Sequence, residues 1–320
     1  MAHLVETMFS VKERPWHGIG TIIQQAPTIE EGIKLAGLDW NVSLQNVQVE
    51  QQTIQGYKAV LREDNNKCLG IVSDKYKILQ NKDAFEFFQP FLDNDYATLE
   101  TAGCLDEGKR IWVLAKLNSE DIIIGKDDRV EKYLLLSNAH NGSAAIKVGY
   151  CAIRVVCNNT LTAAESSVDS QLIRITHRGD IAESLDMVRD TMSTIDASFK
   201  TTETMYKALA QKTNINKADI EKYIKAIYSR QAMKKNFEDN VAITDQEVNE
   251  ARKKLIARVE ELFELEPVHN AWTLYNSYNY ILNHEKGKTP QATYNSLWFG
   301  TGKQSYRQLD KAALQEAILL

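Results

Sequence analysis

The residues best able to do chemistry lie in one stretch, SNAHNGSAAIKVGYCAIRVVCNNTL, residues 137–161. Within it, Asn141-Gly142 is a strong hairpin-turn signal between strand-forming segments. Strand alternation after the turn places Tyr150 and Arg154 on one face. A guanidinium and an aromatic ring on one face can bind a phosphate and stack on a base. The alternative is structural, with the arginine paired to a carboxylate at a sheet edge.

Neighbouring strand-like segments, EGKRIWVLAK and SQLIRITHRGD, add more basic and aromatic residues. If these strands lie side by side, they form a mixed basic and aromatic surface. We expect the lysines and arginines to contact phosphates, the tryptophan and tyrosine to support stacking, and the His-Asn pair to shape the turn. The candidate nucleic-acid-binding residues are Lys109, Arg110, Trp112, His140, Asn141, Lys147, Tyr150, Arg154, Arg174, His177 and Arg178.

The same stretch allows an enzymatic alternative, in which His140, His177 and Cys157 meet in a cleft, since catalytic partners meet in space and not in sequence. Strand alternation would instead bury many of the cysteines as inert thiols. The histidines lack H-x3-H or H-E-x-x-H spacing, and the four cysteines lack C-x2-C pairs. We therefore assign no catalytic residue, no metal ligand and no cofactor.

Composition limits the function classes. The chain has 320 residues, 43% of them apolar and 25% charged, which are globular values. A net charge of −5 means that nucleic-acid binding would need a local basic patch. The sequence lacks an apolar run of signal-peptide or membrane-span length, which predicts a cytoplasmic protein without membrane association.

The pattern of elements predicts an α+β fold. A β-rich domain, 1–180, is expected to hold a mainly antiparallel sheet with short helices, and a helical region, 181–320, to pack on it. Two hairpins are predicted around the turns REDNNK and DEGK, and Asn81 is expected to cap a short helix. Helices are further predicted from residue 181 onward and at 203–212, 217–230, 245–264, 268–284 and 305–319.

Several motifs together resemble one family. They are RPWHGIG, GKRIWVLAKL, LLLSNAHNGSAAIKVGYCAIRVVCNNTL, ITHRGD and the C-terminal AWTLYNSYNYILNHEKG with NSLWFGTGKQSYRQLDKAAL. The chain resembles the phage/plasmid-related proteins that carry the domain of unknown function 932. Where that family commonly has an acidic residue after the histidine, this chain has Asn141, which argues against a metal-binding carboxylate there. The resemblance implies a mobile element in a bacterial host cytosol and no established activity.

The order of hairpins, strands and later helices is also similar to that of phage single-strand annealing proteins, which form rings around a basic groove. The leading hypothesis is a non-enzymatic, homo-oligomeric protein that binds or anneals single-stranded DNA in replication or recombination. One alternative is an enzyme acting on nucleic acid or a nucleotide. The other is an interaction factor that acts on a host protein.

Overall fold

The structure is a computed structural model that describes residues 5–12, 20–126, 128–154, 172–191, 195–238, 245–286 and 305–320. It is α+β with mostly antiparallel sheets, as predicted. The strands are β1 (Val5–Val11), β2 (Thr21–Ile23), β3 (Val42–Val49), β4 (Gln52–Arg62), β5 (Lys67–Ser73), β6 (Ala97–Leu105), β7 (Arg110–Leu117), β8 (Ile122–Ile124), β9 (Asp128–Ala139), β10 (Ile146–Arg154) and β11 (Ile173–Ile175).

Short helices lie among the strands, and longer ones follow them. They are α1 (Ile29–Leu35), α2 (Asn81–Glu86), α3 (Gln89–Asp93), α4 (Ile181–Thr191), α5 (Ile195–Gln211), α6 (Lys217–Glu238), α7 (Asp245–Glu264), α8 (Ala271–Tyr280) and α9 (Tyr306–Leu319). A π-helical turn, Ile281–Glu285, continues α8. The predicted C-terminal helices are all confirmed, although α5 begins earlier and α6 ends later than their patterns indicated.

The chain divides into two compact units. The sheet unit comprises residues 1–121, 131–153 and 170–198, and the helical unit comprises 122–130, 154–169 and 199–320. Helix α4 therefore groups with the sheet unit, and the β8–β9 turn groups with the helical unit. The division at residue 180 stays a prediction of domain organisation.

The larger sheet has the order β11-β10-β9-β7-β6-β1-β2, and β8 pairs with the start of β9. Its central strands β7, β9 and β10 are buried on both faces. Along β9, exposed and buried residues do not alternate, since every residue from Tyr133 to Ala139 is buried. A strand covered on both faces is selected for continuous apolar character, which these segments have.

The smaller sheet has the order β3-β4-β5, and β4 and β5 form the hairpin predicted at REDNNK. The second predicted hairpin is also present, since β6 pairs with β7 through the turn Asp106–Gly108. Glu107 and Gly108 have φ values of 60° and 92° there, which a glycine tolerates readily and a glutamate adopts at some cost.

Asn81 does not cap α2. Gln80 is the N-cap residue, and Asn81 is the first residue of the helix. The Asn81 amide instead donates to the carbonyl oxygens of Leu38 and Trp40, at 3.1 and 3.0 Å. A buried tertiary role has displaced the local capping role that the sequence indicated.

The helical unit is built on α8, whose residues from Ala271 to Asn279 are all buried. Asn270 caps this helix in a reciprocal pair with Thr273. The Trp272 indole Nε1 donates to Asp128 Oδ2 at 2.8 Å, which ties the start of β9 to this unit. Within the part of the chain that the structure describes, no helix is long and apolar enough to cross a membrane.

Candidate functional site

Two buried histidines mark the polar centre of the sheet unit. His140 follows β9 directly, is 1% exposed, and donates from its backbone N–H to the Lys109 carbonyl at 2.8 Å. His177 follows β11 and is 8% exposed. Buried imidazoles must satisfy their nitrogens or bear the cost of an unpaired polar group, so the partners of each ring decide its role.

The His140 cluster consists of Trp40, Asn81, Asn138 and His140. His140 Nε2 lies 2.9 Å from Asn81 Oδ1, and the Asn81 amide group is already donating to two carbonyls. Asn81 Oδ1 is therefore the acceptor, and Nε2 carries the proton. Asn138 Nδ2 lies 3.4 Å from His140 Nδ1, where it meets the lone pair. Both nitrogens of His140 have partners.

This environment keeps His140 neutral. Complete burial, assisted by the nearby His177 ring, lowers the pKa of His140 from 6.5 to about 3. A proton added at Nδ1 would face the Asn138 amide hydrogens. The Trp40 ring lies 5.6 Å from the imidazole and is covered by the Arg62 guanidinium at 4.3 Å. The cluster has the properties of a structural core.

His177 has a different environment. Its Nδ1 lies 2.9 Å from the Lys77 carbonyl oxygen, which can only accept, so Nδ1 carries the proton. The Lys77 N–H donates back to the His177 carbonyl at 2.9 Å. The Tyr76 ring stacks on the imidazole at 4.3 Å with an interplanar angle of 19°. Burial lowers the pKa of His177, so Nε2 has a lone pair.

No described residue gives His177 Nε2 a hydrogen-bond partner, although the atom is buried. His177 lines a cleft of about 290 Å³ in the sheet unit. We call it the His177 cleft; its lining residues are Ile71, Val72, Ser73, Tyr76, Asn141, Gly142, Ala144, Ala145, Thr176, His177 and Arg178. Three of the predicted site residues, Asn141, His177 and Arg178, meet in this cleft.

Four of the predicted basic residues fall into two groups. Lys109 directly precedes β7 and Arg110 begins it; Lys109 Nζ pairs with Asp106 at 3.2 Å, and Arg110 Nη2 donates to Ser143 Oγ at 3.3 Å. Arg174 and Arg178 lie at and beyond β11, and both are exposed. The Lys109 charge is largely compensated by its partner, whereas neither Arg174 nor Arg178 has an ion pair with any residue that the structure describes.

The aromatic residues expected to stack on bases are not on the surface. Trp112 is 2% exposed and Tyr150 is 7% exposed, because the central strands are covered on both faces. Lys147 is likewise buried, opposite Arg174 in the register of β10 and β11. As placed, these side chains stabilise the sheet interior. Arg154 ends β10, and its side chain lies outside what the structure describes.

The catalytic alternative gains little from this geometry. His140 has both nitrogens engaged, and Cys157 lies outside the described residues. Cys104 and Cys151 are buried thiols, as expected, whereas Cys68 is exposed. Among the described residues, no group of three or more His, Cys, Asp or Glu side chains is arranged to hold a metal ion.

Sequence reasoning missed Ser73 and Tyr76, which line the His177 cleft, and Lys77, whose carbonyl accepts from His177. They lie at the end of β5 and just after it, in the polar segment SDKYK, which has the composition of an ordinary loop. Their importance comes from a contact with residues about one hundred positions later, as between Lys77 and His177. No local pattern carries that information.

Comparisons with known proteins place the chain in a family without giving it an activity. No curated protein and no solved structure matches the chain. The family model described as Domain of unknown function (DUF932) matches residues 68–311, which include both histidines and every predicted site residue. Since this match covers well over half of the chain, the protein belongs to the DUF932 family.

Proposed function

We propose that this protein binds single-stranded nucleic acid, as an oligomer, in the replication or recombination of a phage or plasmid. The observation that carries the proposal is that Arg174 and Arg178 are both exposed and that Arg178 lines the His177 cleft. Guanidinium groups without carboxylate partners are free to bind phosphates in the bidentate geometry that arginine favours. The phage or plasmid context and the annealing role rest on the resemblance of the sequence motifs.

Further support comes from the charge around this pair. The Lys77 side chain is exposed. Its backbone N–H donates to the His177 carbonyl, and its carbonyl accepts from His177 Nδ1. Asp180, the nearest acidic residue after Arg178, is engaged at the start of α4, where its Oδ1 accepts from the Glu183 N–H at 3.1 Å. A local basic patch of this kind is what a protein with a net charge of −5 needs to attract a polyanion.

An exposed aromatic residue near the cleft supports base stacking. Tyr57 on β4 is 54% exposed and lies directly opposite Ser73 of β5, so both side chains project from the same face. Ser73 and its neighbour Ile71, which is 60% exposed, both line the His177 cleft. Tyr57 thus replaces Trp112 and Tyr150 as the proposed stacking residue.

The test is fluorescence anisotropy with a labelled single-stranded oligonucleotide over a series of salt concentrations. We expect affinity to fall linearly with salt on logarithmic axes, because phosphate contacts release counterions. The variant Arg174→Ala/Arg178→Ala should lower the magnitude of that slope by about 1.4, about 0.7 for each lost phosphate contact. Light scattering on the same samples measures whether the binding species is an oligomer.

The matched control is Lys207→Ala/Lys225→Ala, which changes the net charge equally. Both lysines lie on helices of the helical unit and pair with Glu203 and Glu221. Their loss should leave the salt slope unchanged. The proposal would be refuted if the wild-type protein does not bind or binds independently of salt. It would also be refuted if the lysine control lowers the affinity as much as the arginine variant does.

A further inference from the structure

The His177 cleft has walls whose positions are fixed by close packing. A Cβ added at Gly142, where φ is 70°, would lie 2.9 Å from Val72 Cγ1, so the β9–β10 turn packs tightly against β5. A Cβ added at Gly70 would lie 2.9 Å from Asn141 Cβ, so the same two segments are in contact again beside the cleft. Such walls give a pocket that exists before a ligand arrives.

His177, which lines the cleft, has a buried acceptor atom, Nε2, for which no described residue supplies a donor. Nδ1 of His177 is committed to the Lys77 carbonyl, and Tyr76 fixes the plane of the ring, so Nε2 cannot find a partner by rotating. The Tyr76 hydroxyl is itself occupied, donating to the Ala139 carbonyl at 3.2 Å. A ligand that supplies an N–H or O–H satisfies Nε2, whereas one that does not leaves it buried and unpaired.

The rim of the cleft is polar and adjustable. Thr176 and Arg178 flank His177 in the chain, and both are exposed. No hydrogen bond or ion pair within the described part of the chain holds either side chain, so both can change rotamer when a ligand enters the cleft. Asn141 Oδ1 accepts from the Ser143 N–H at 3.0 Å, so its NH₂ group remains available as a donor.

We infer that the His177 cleft binds one nucleotide, whose base donates an N–H to His177 Nε2 and whose phosphate is held by Arg178. The inference rests on the proposed function and specifies where one unit of the strand sits. A volume of about 290 Å³ is at the small end for ligand pockets and is sufficient for a single nucleotide. Every base has at least one N–H donor on its pairing edge. The site therefore accepts all bases and does not bind an abasic position.

The direct test uses protein labelled with ¹⁵N at histidine and follows the ring nitrogens by NMR. Titration with deoxyadenosine monophosphate should shift the His177 Nε2 signal saturably, because an acceptor nitrogen responds when it receives a hydrogen bond. Inorganic phosphate alone should leave it close to its starting position. His269 of the helical unit, whose side chain is 43% exposed, is the internal control and should not move.

Two variants test the role of Nε2 in strand binding. In His177→Asn, the shorter amide still donates toward the Lys77 carbonyl but offers no acceptor at the position of Nε2. We expect about a tenfold loss of affinity for a base-containing strand and no loss for an abasic strand. His177→Gln restores an acceptor near that position and should recover part of the affinity. The wild-type titration needs no variant, so it is independent of any folding defect.

The possible outcomes separate this inference from the proposed function. If the labelled strand binds but His177 Nε2 does not shift and His177→Asn binds normally, the nucleotide site is refuted and strand binding stands. If the mononucleotide shifts Nε2 but no strand binds, the site is supported and strand binding is refuted. If neither ligand has an effect, both are refuted.

Discussion

The His140 cluster and the His177 cleft use the same residue type in opposite ways. His140 carries its proton on Nε2, donates it to Asn81, and has Asn138 at its other nitrogen. His177 carries its proton on Nδ1, donates it to a backbone carbonyl, and has no partner for Nε2 in the described part of the chain. Burial lowers the pKa of both rings. The difference teaches that burial alone does not identify a functional histidine, and that the completeness of its hydrogen bonding is the more informative property.

The largest expected effect is on the stability of the His140 cluster. Asn81→Leu removes the acceptor of the His140 proton and the donor to two buried carbonyls. We expect a loss of about 4 kcal/mol in the free energy of unfolding, since each stranded buried group costs about 1–3 kcal/mol. Urea denaturation measures it.

The matched variant for that experiment is His177→Asn, which removes a nitrogen that has no partner among the residues that the structure describes. It should cost about 1–2 kcal/mol, clearly less than Asn81→Leu, because it loses the stacking on Tyr76 but no hydrogen bond at Nε2. If the two substitutions destabilise equally, the distinction between a satisfied and an unsatisfied histidine is wrong.

The second effect is a loss of stability in mild acid. Because folding lowers the pKa of His140 from 6.5 to about 3, the unfolded chain binds the proton first as the pH falls. The stabilisation is complete above pH 6.5 and is lost progressively toward about pH 3. Between pH 6.5 and 5 we expect a decrease of about 1.5–2 kcal/mol from this group, since the slope is about 1.4 kcal/mol per pH unit.

His177 acts in the same direction, because burial lowers its pKa as well. Denaturation curves at pH 5.0, 5.5, 6.0 and 6.5 measure the combined slope, and the ¹⁵N spectrum reports whether each folded-state ring stays neutral. A stability that is constant or rises on acidification over this range would contradict the prediction.

The smallest effect is a difference of about 1 kcal/mol between two glycine variants, which tests the wall of the cleft. Gly142→Ala should destabilise by about 2 kcal/mol, because φ is unfavourable for an L residue and the new methyl meets Val72. Gly179→Ala has nearly the same φ, 71°, with open space around it, and should cost only about 1 kcal/mol. The difference of about 1 kcal/mol reports the contact of the turn with β5. Equal costs would mean that the turn does not pack there in solution.

Local signals in the sequence were sufficient for much of the fold. The turns REDNNK and DEGK join β-strands as predicted, and Asn141-Gly142 lies between β9 and β10, because turn residues and strand propensity act over a few positions. The insertion of β1 between β2 and β6 was not predictable in this way. It depends on contacts such as the Thr101 hydroxyl donating to the Phe9 carbonyl, 92 residues away.

The candidate site was predictable only in part, for the same reason. Arg174 and Arg178 were identified from composition and are exposed, but composition could not show that Trp112 and Tyr150 would be covered from both sides. Alternating apolar and polar residues are expected in a sheet with one solvent-exposed face. The central strands here have no such face. Asn81 was recognised as a helix-start residue, whereas its tertiary bonds give it a larger role.

The two hydrogen bonds between Lys77 and His177 join residues 100 positions apart, so they can form only late in synthesis. The segment with Tyr76 and Lys77 leaves the ribosome long before its partner exists, and closing so long a loop makes its contacts late to form. A nascent or truncated chain that ends before residue 177 has β5 and the β9–β10 turn but lacks His177, which lines the cleft. The complete cleft is therefore formed only after more than half of the protein has been made.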